Sequence, residues 1–91
     1  MEYVVQKHEK GLAIITWCID EDYQCSSEHM FYSPESIYYM LFVNIYDPQG
    51  NLIQEDGIGG IDIQHETHTD EFRQEVINSY EFHFKEISAI Q

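Results

Sequence analysis

Residues 36–63 read SIYYMLFVNIYDPQGNLIQEDGIGGIDI and carry the signals that decide the fold. Their first part, Ile37–Tyr46, is dense in aromatic and β-branched residues, which favour strands. The next four residues, Asp47–Gly50, read DPQG and are typical of a β-turn with the proline at its second position. Strand-like residues resume at Asn51–Asp56, so the stretch predicts a β-hairpin whose first strand is central in a sheet.

The hairpin continues into a glycine-rich segment, Gly57–Ile63. Closely spaced glycines weaken a strand and commonly mark a bulge, a bend or a close approach of two backbones. Their spacing here fits neither the dinucleotide-binding fingerprint nor the phosphate-binding P-loop. The carboxylates of Glu55, Asp56 and Asp62 lie beside its glycines, so we expect a structural irregularity rather than an anion-binding loop.

Two segments nearer the N-terminus also predict strands. Glu2–Glu9 is compatible with a short strand, and Leu12–Ile19 is apolar on both faces, which favours a central position. Together they predict a first hairpin. The polar segment Asp20–Ser36 predicts a loop, with a short helical turn after Pro34.

The C-terminal segment predicts a helix over Asp70–Ala89, with Thr69 as its N-cap. Asp70 and Glu71 would stabilise the positive end of the helix dipole. Apolar residues recur at helical spacing and define one face. The residues of that face are Phe72, Val76, Tyr80, Phe84 and Ile87.

These elements predict one α+β domain spanning residues 1–91. The expected architecture is an antiparallel β-meander of about four strands with one C-terminal α-helix packed on one face. A hydrophobic content of 43%, with seven Tyr and five Phe, is sufficient for a core. The sheet face opposite the helix would remain available for function.

The charge of the chain is strongly unbalanced. Seventeen Asp and Glu face four Lys and Arg, which gives a formal net charge of −13. The stretch Gly11–Phe72 contains no Lys or Arg. Such an excess destabilises the compact state by self-repulsion and exceeds what solubility alone requires. It favours a positively charged partner and argues against binding to nucleic acid or to an anionic membrane.

No signal peptide or apolar run long enough to span a membrane is visible, so we expect a cytoplasmic protein of a bacterial host. In that setting Cys18 and Cys25 would be free thiols. Because Cys18 lies within an apolar run, we expect it to be buried and inert.

Several residues could carry chemistry, although none forms a recognised motif. His65 and His68 could combine with Cys18 and Cys25 in a zinc site, which is the alternative of a small metal-binding enzyme. Their spacing is not that of a zinc knuckle, and no zinc-protease motif occurs. The carboxylate run Asp20–Asp22 lacks the spacing of a calcium loop. We therefore expect no catalytic residues, no metal and no cofactor.

The acidic residues themselves are the best candidates for a functional surface. Carboxylates along strands and at element ends can approximate a ladder of phosphates, since alternate strand residues lie about 6.6 Å apart. The loop aromatics Tyr23, Phe31 and Tyr32, if exposed, could anchor an interface. The predicted partner-binding residues are Asp20, Glu21, Asp22, Glu28, Tyr32, Glu35, Glu55, Asp56, Asp62, Glu66, Asp70 and Glu71.

These observations lead to the hypothesis of a non-enzymatic inhibitor. It would bind a basic nucleic-acid-binding protein, an effector or a nuclease, by mimicking the charge of nucleic acid. In size and charge alone, the chain is similar to small acidic phage proteins of the anti-CRISPR and anti-restriction type. An immunity protein or antitoxin against a basic nuclease toxin is the alternative. A homodimer is a further alternative, because an uncovered sheet face could self-associate.

Overall fold

The computed structural model describes residues 2–24 and 37–85 of the chain. Four antiparallel strands form one sheet in the order β1-β2-β3-β4, and a single C-terminal helix follows them, which confirms the α+β meander. The strands are β1 (Val4–His8), β2 (Gly11–Ile19), β3 (Tyr38–Tyr46) and β4 (Leu52–Asp62). The helices are α1 (Glu21–Gln24) and α2 (Asp70–Tyr80), and a π-helical turn (Glu81–Lys85) continues α2.

The sheet has an inner face that packs against α2 and an outer face that α2 does not cover. On the inner face, Ala13, Ile15 and Leu41 are fully buried. From α2, Phe72 packs edge-on against Tyr39, with ring centroids 5.0 Å apart. The predicted helix face is confirmed for its described buried members, which are Phe72, Val76 and Tyr80.

Glycine and aspartate close the two hairpins at the same end of the sheet. Gly11, at the start of β2, has φ 147°, and a Cβ there would collide with the Tyr46 carbonyl oxygen. In the second turn, the Gly50 N–H donates to the Asp47 carbonyl oxygen at 2.9 Å, which confirms the β-turn. The Asp47 carboxylate also accepts from the Asn51 N–H at 2.8 Å, and such bonds to the charged form lower its pKa.

The glycine-rich segment is part of β4 rather than a bend after it. The strand was expected to end at Asp56, but it continues through the glycines to Asp62. The expected irregularity is present, because the register with β3 shifts between Tyr39 and Leu41. Gly60 has φ 70°, a backbone conformation that favours glycine. The bulge therefore lets the strand continue instead of ending it.

The helix begins where the sequence predicts and ends earlier. The Thr69 side chain accepts from the Phe72 N–H at 3.2 Å, which confirms the N-cap. The α-helical pattern ends at Tyr80, where the π-helical turn begins, so the prediction of a continuous α-helix to Ala89 is wrong in this part. Residues 86–91 lie outside the described part of the chain.

Two further expectations need correction. The segment Asp20–Ser36 begins with a short helix, α1, rather than irregular structure, and the predicted turn after Pro34 lies outside the described residues. Cys18 is exposed, not buried. Cys18 on β2 pairs with Met40 on β3, and both lie on the outer face. Cys18 is exposed because α2 covers only the inner face.

Candidate functional site

The antiparallel topology brings carboxylates from three parts of the chain to one end of the sheet. The C-terminal ends of β2 and β4 meet there, because both strands run antiparallel to β3 between them. Helix α1 follows β2 directly, and α2 begins a few residues after β4. We call this region the acidic end. Its members are Asp20, Glu21, Asp22, Asp62, Glu66, Asp70 and Glu71.

Most side chains of the acidic end project into solvent. Glu21, Asp22 and Asp62 are exposed, as are the other members except Asp20. Asp70 and Glu71 occupy the first turn of α2, where negative charge is favourable. The sequence prediction named all seven, and the topology places them at the same end of the sheet.

Asp20 differs from the other members because it has a structural role. Its Oδ2 accepts from the Gly60 N–H at 2.9 Å, and its own N–H donates to the Tyr38 carbonyl oxygen at 2.8 Å. These bonds tie the end of β2 to β3 and to the bulge of β4. An open cleft of about 490 Å³ lies beside it, lined by Cys18, Ile19, Asp20, Glu21, Asp22 and Met40.

A second cleft, of about 560 Å³, lies where β4 leads into α2. Glu66 and His68 approach one another in it, with 3.5 Å between Oε2 and Nε2. Tyr39 forms part of the floor, and burial raises the pKa of its hydroxyl above the ordinary value, so this group stays protonated at neutral pH. The lining residues are Ile37, Tyr39, Ile63, Gln64, His65, Glu66, Thr67 and His68.

The basic residues do not neutralise the acidic end. Lys7 and Lys10 lie near the β1–β2 turn, at the opposite end of the sheet. Arg73 lies in the first turn of α2, near Asp70, but its Nη1 donates to the Tyr3 carbonyl oxygen at 2.9 Å. Between side chains of residues 2–22 and 37–84, no Lys or Arg forms an ion pair with a carboxylate.

Glu55 and Asp56 lie away from the acidic end, on the exposed edge strand β4. They pair with Asn44 and Val43, respectively, and therefore point to opposite faces of the sheet. Asp56 Oδ2 accepts from Gln54 Nε2 at 2.6 Å. Both carboxylates are exposed, but only Glu55 belongs to the outer face.

Three predicted partner-binding residues fall outside the described part of the chain. They are Glu28, Tyr32 and Glu35. The same is true of Phe31, which was a candidate aromatic anchor, and of Cys25.

The arrangement of the described carboxylates is spread out rather than convergent. Within the described residues, no group of three or more His, Cys, Asp or Glu side chains could hold a metal ion. His65 and His68 follow β4 and line the second cleft, whereas Cys18 lines the first, so these three candidate zinc ligands are not brought together. Such an arrangement presents negative charge over an area.

Sequence reasoning missed two features of this region. The structural role of Asp20 depends on a contact with Gly60, forty positions away, for which the sequence gives no local signal. The exposure of Cys18 could have been anticipated, since a sheet with one helix has one uncovered face.

Comparison with known proteins finds no matching family model, no matching curated protein and no matching solved structure. Over the described residues, no helix is both long enough and apolar enough to cross a membrane.

Proposed function

We propose that this protein is a non-enzymatic inhibitor of a basic nucleic-acid-binding protein. It would occupy the partner's nucleic-acid groove through its negative charge, as small phage inhibitors of CRISPR and restriction systems do in general type. The observation that carries this proposal is the acidic end, where seven carboxylates gather and Arg73, in the first turn of α2, is the one nearby base among the described residues. Charge complementarity of this kind accelerates association and selects basic surfaces.

The spacing of the acidic end supports a groove as the target. Neighbouring strands are about 4.8 Å apart, so the ends of β2 and β4 are separated by about 10 Å. The negative charge therefore extends across the sheet and includes α1, which follows β2, and the start of α2, which follows β4. One DNA strand carries a phosphate about every 3.4 Å along the axis. Charge distributed over this width matches a basic groove better than it matches a single cation.

Electrostatic recognition of this kind has a defined salt dependence. Charges on exposed side chains are largely screened beyond about 10 Å at 0.1 M salt. We expect association with the partner to slow and weaken as salt increases. The partner class includes nuclease toxins, and recovery of such a toxin would identify the protein as an immunity protein.

The proposal is tested by affinity purification from the native host followed by mass spectrometry and a competition assay. The expected result is a basic nucleic-acid-binding protein whose labelled DNA or RNA is displaced by the purified chain at micromolar concentration and low salt. Failure to displace nucleic acid from every recovered basic partner would overturn the proposal.

A further inference from the structure

The outer face of the sheet carries apolar side chains that no described element covers. Leu12, Phe42 and Leu52 are 48, 39 and 45% exposed, and Val5 is 43% exposed. The strand register places them all on this face, since Val5 pairs with Ile14 and Leu52 pairs with Tyr46. Isolated apolar residues on a surface need no explanation, but a contiguous patch commonly marks an interaction site. We call this group the outer apolar patch; its members are Val5, Leu12, Ile14, Met40, Phe42, Tyr46 and Leu52.

Carboxylates border the outer apolar patch on two sides. Glu55 pairs with Asn44 and lies at the β4 margin of the same face. Asp62 pairs with Tyr38, so it lies on this face where the patch meets the acidic end. Lys7, which pairs with Leu12, is the base on the β1 side. Asn44 and Thr16 lie on the same face between the apolar side chains. The patch and the acidic end therefore form one surface that is uncharged and largely apolar in the middle and negative along two borders.

The size and charge of this surface favour a basic partner over a second copy of the chain. Four strands about 4.8 Å apart, paired over five to eight residues, give a face of roughly 500 Å². A standard interface buries about 800 Å² on each partner, so the patch alone is too small. The remaining contact must come from the borders, which are acidic. A second copy would bring like charges together there, because each chain has a net charge of −13.

We propose that the outer apolar patch is the centre of the partner interface and that the partner presents apolar side chains bordered by Lys or Arg. This inference rests on the proposed function and assigns its binding surface to the outer face rather than to the helix side. Interface centres are apolar and dehydrated, whereas borders are polar and provide steering. The Phe42 ring would be a central anchor, and Glu55 and Asp62 would contact the basic border.

Two synthetic peptides of equal length and positive charge test the proposal. One alternates Lys with Leu, and the other alternates Lys with Gly. Each is titrated into the isotopically labelled full chain, with affinity and backbone amide shifts measured by nuclear magnetic resonance. We expect the Lys–Leu peptide to bind at least about tenfold more tightly and to shift the amides of Leu12 and Phe42.

Matched variants then separate the outer face from the rest of the molecule. Phe42→Ser should weaken binding of the Lys–Leu peptide about tenfold, whereas Phe82→Ser, which alters an exposed phenylalanine on the helix side, should not. Leu12→Ser serves as a second outer-face variant in case Phe42→Ser disturbs the fold, which circular dichroism would reveal.

The outcomes distinguish this inference from the proposed function. Equal binding of both peptides, unaffected by Phe42→Ser, would retain the charge-based function and overturn the outer-face assignment. Binding of neither peptide at low salt would overturn both. A dimer in sedimentation analysis that Phe42→Ser converts to a monomer would show that a second copy covers the patch, which also contradicts the proposal.

Discussion

The bulge in β4 makes a quantitative prediction about two glycines in the same strand. A Cβ at Gly59 would collide with Asp20 Oδ2 and would lie 3.4 Å from Met40 Cε. A Cβ at Gly57 would lie 3.6 Å from both the Leu41 carbonyl oxygen and Phe42 Cδ1, which is ordinary contact. Gly59→Ala should therefore destabilise the fold, whereas Gly57→Ala is its matched control.

The magnitude follows from the bond that Gly59→Ala disturbs. The Asp20 side chain is short, and its carboxylate is held by the Gly60 N–H at 2.9 Å, so it cannot move away without weakening that bond. Hydrogen bonds to charged groups contribute about 1.5–3 kcal/mol to the free energy of unfolding. We expect Gly59→Ala to cost about 2 kcal/mol. Gly57→Ala should be neutral or stabilising by up to about 1 kcal/mol, because alanine reduces the entropy of the unfolded chain.

Thermal and urea unfolding monitored by circular dichroism measure both effects. For a domain of this size, about 2 kcal/mol lowers Tm by roughly 10 °C. The combination of Gly59→Ala with Asp20→Ala should cost little more than Asp20→Ala alone, because the collision partner is absent. Equal stabilities of Gly59→Ala and Gly57→Ala, or additive losses in the double variant, would refute the reasoning.

Three further predictions concern single side chains. Thr69→Ala removes the acceptor for the Phe72 N–H and should lower the free energy of unfolding by about 1 kcal/mol in urea titration. Tyr80→Phe should be neutral or raise Tm, because the Tyr80 hydroxyl is the buried side-chain group without a hydrogen-bond partner among the described residues. The pKa of Asp47 is lowered by its turn hydrogen bonds, so its contribution is present above the unfolded-state pKa and is lost as pH falls through the folded-state pKa. In Asp47→Asn, the free energy of unfolding measured across that acidic range should therefore depend less on pH than in the unmodified chain.

The fold was largely predictable because two kinds of signal are clear in the sequence. Dense aromatic and β-branched residues and the turn at Asp47 predicted the hairpin, and apolar residues at helical spacing predicted the buried face of α2. The change to a π-helical turn after Tyr80 was not predictable, because Phe84 continues the helical spacing and partly packs on the core.

The candidate site was predictable in composition but not in arrangement. Glu55 and Asp62 are an odd number of positions apart, so uninterrupted alternation would place them on opposite faces. The bulge between them restores both to the outer face. A one-residue change of register reverses the face of every later side chain, and no propensity argument locates that change. Long-range pairing therefore decides which carboxylates share a surface.

Charge reversal at the acidic end tests the central claim most directly. The double variant Glu21→Lys/Asp22→Lys alters two exposed carboxylates of α1 and spares Asp20, which holds the bulge. Glu9→Lys/Glu81→Lys is the matched control, since it changes the net charge equally at the opposite end, where both carboxylates lie near Tyr80.

The measurement is the concentration of each variant that displaces half of the labelled nucleic acid from the recovered basic partner at low salt. We predict that the acidic-end variant needs at least about tenfold more protein than the unmodified chain, whereas the control changes far less. Equal displacement by the two variants would contradict the claim that the acidic end binds the partner.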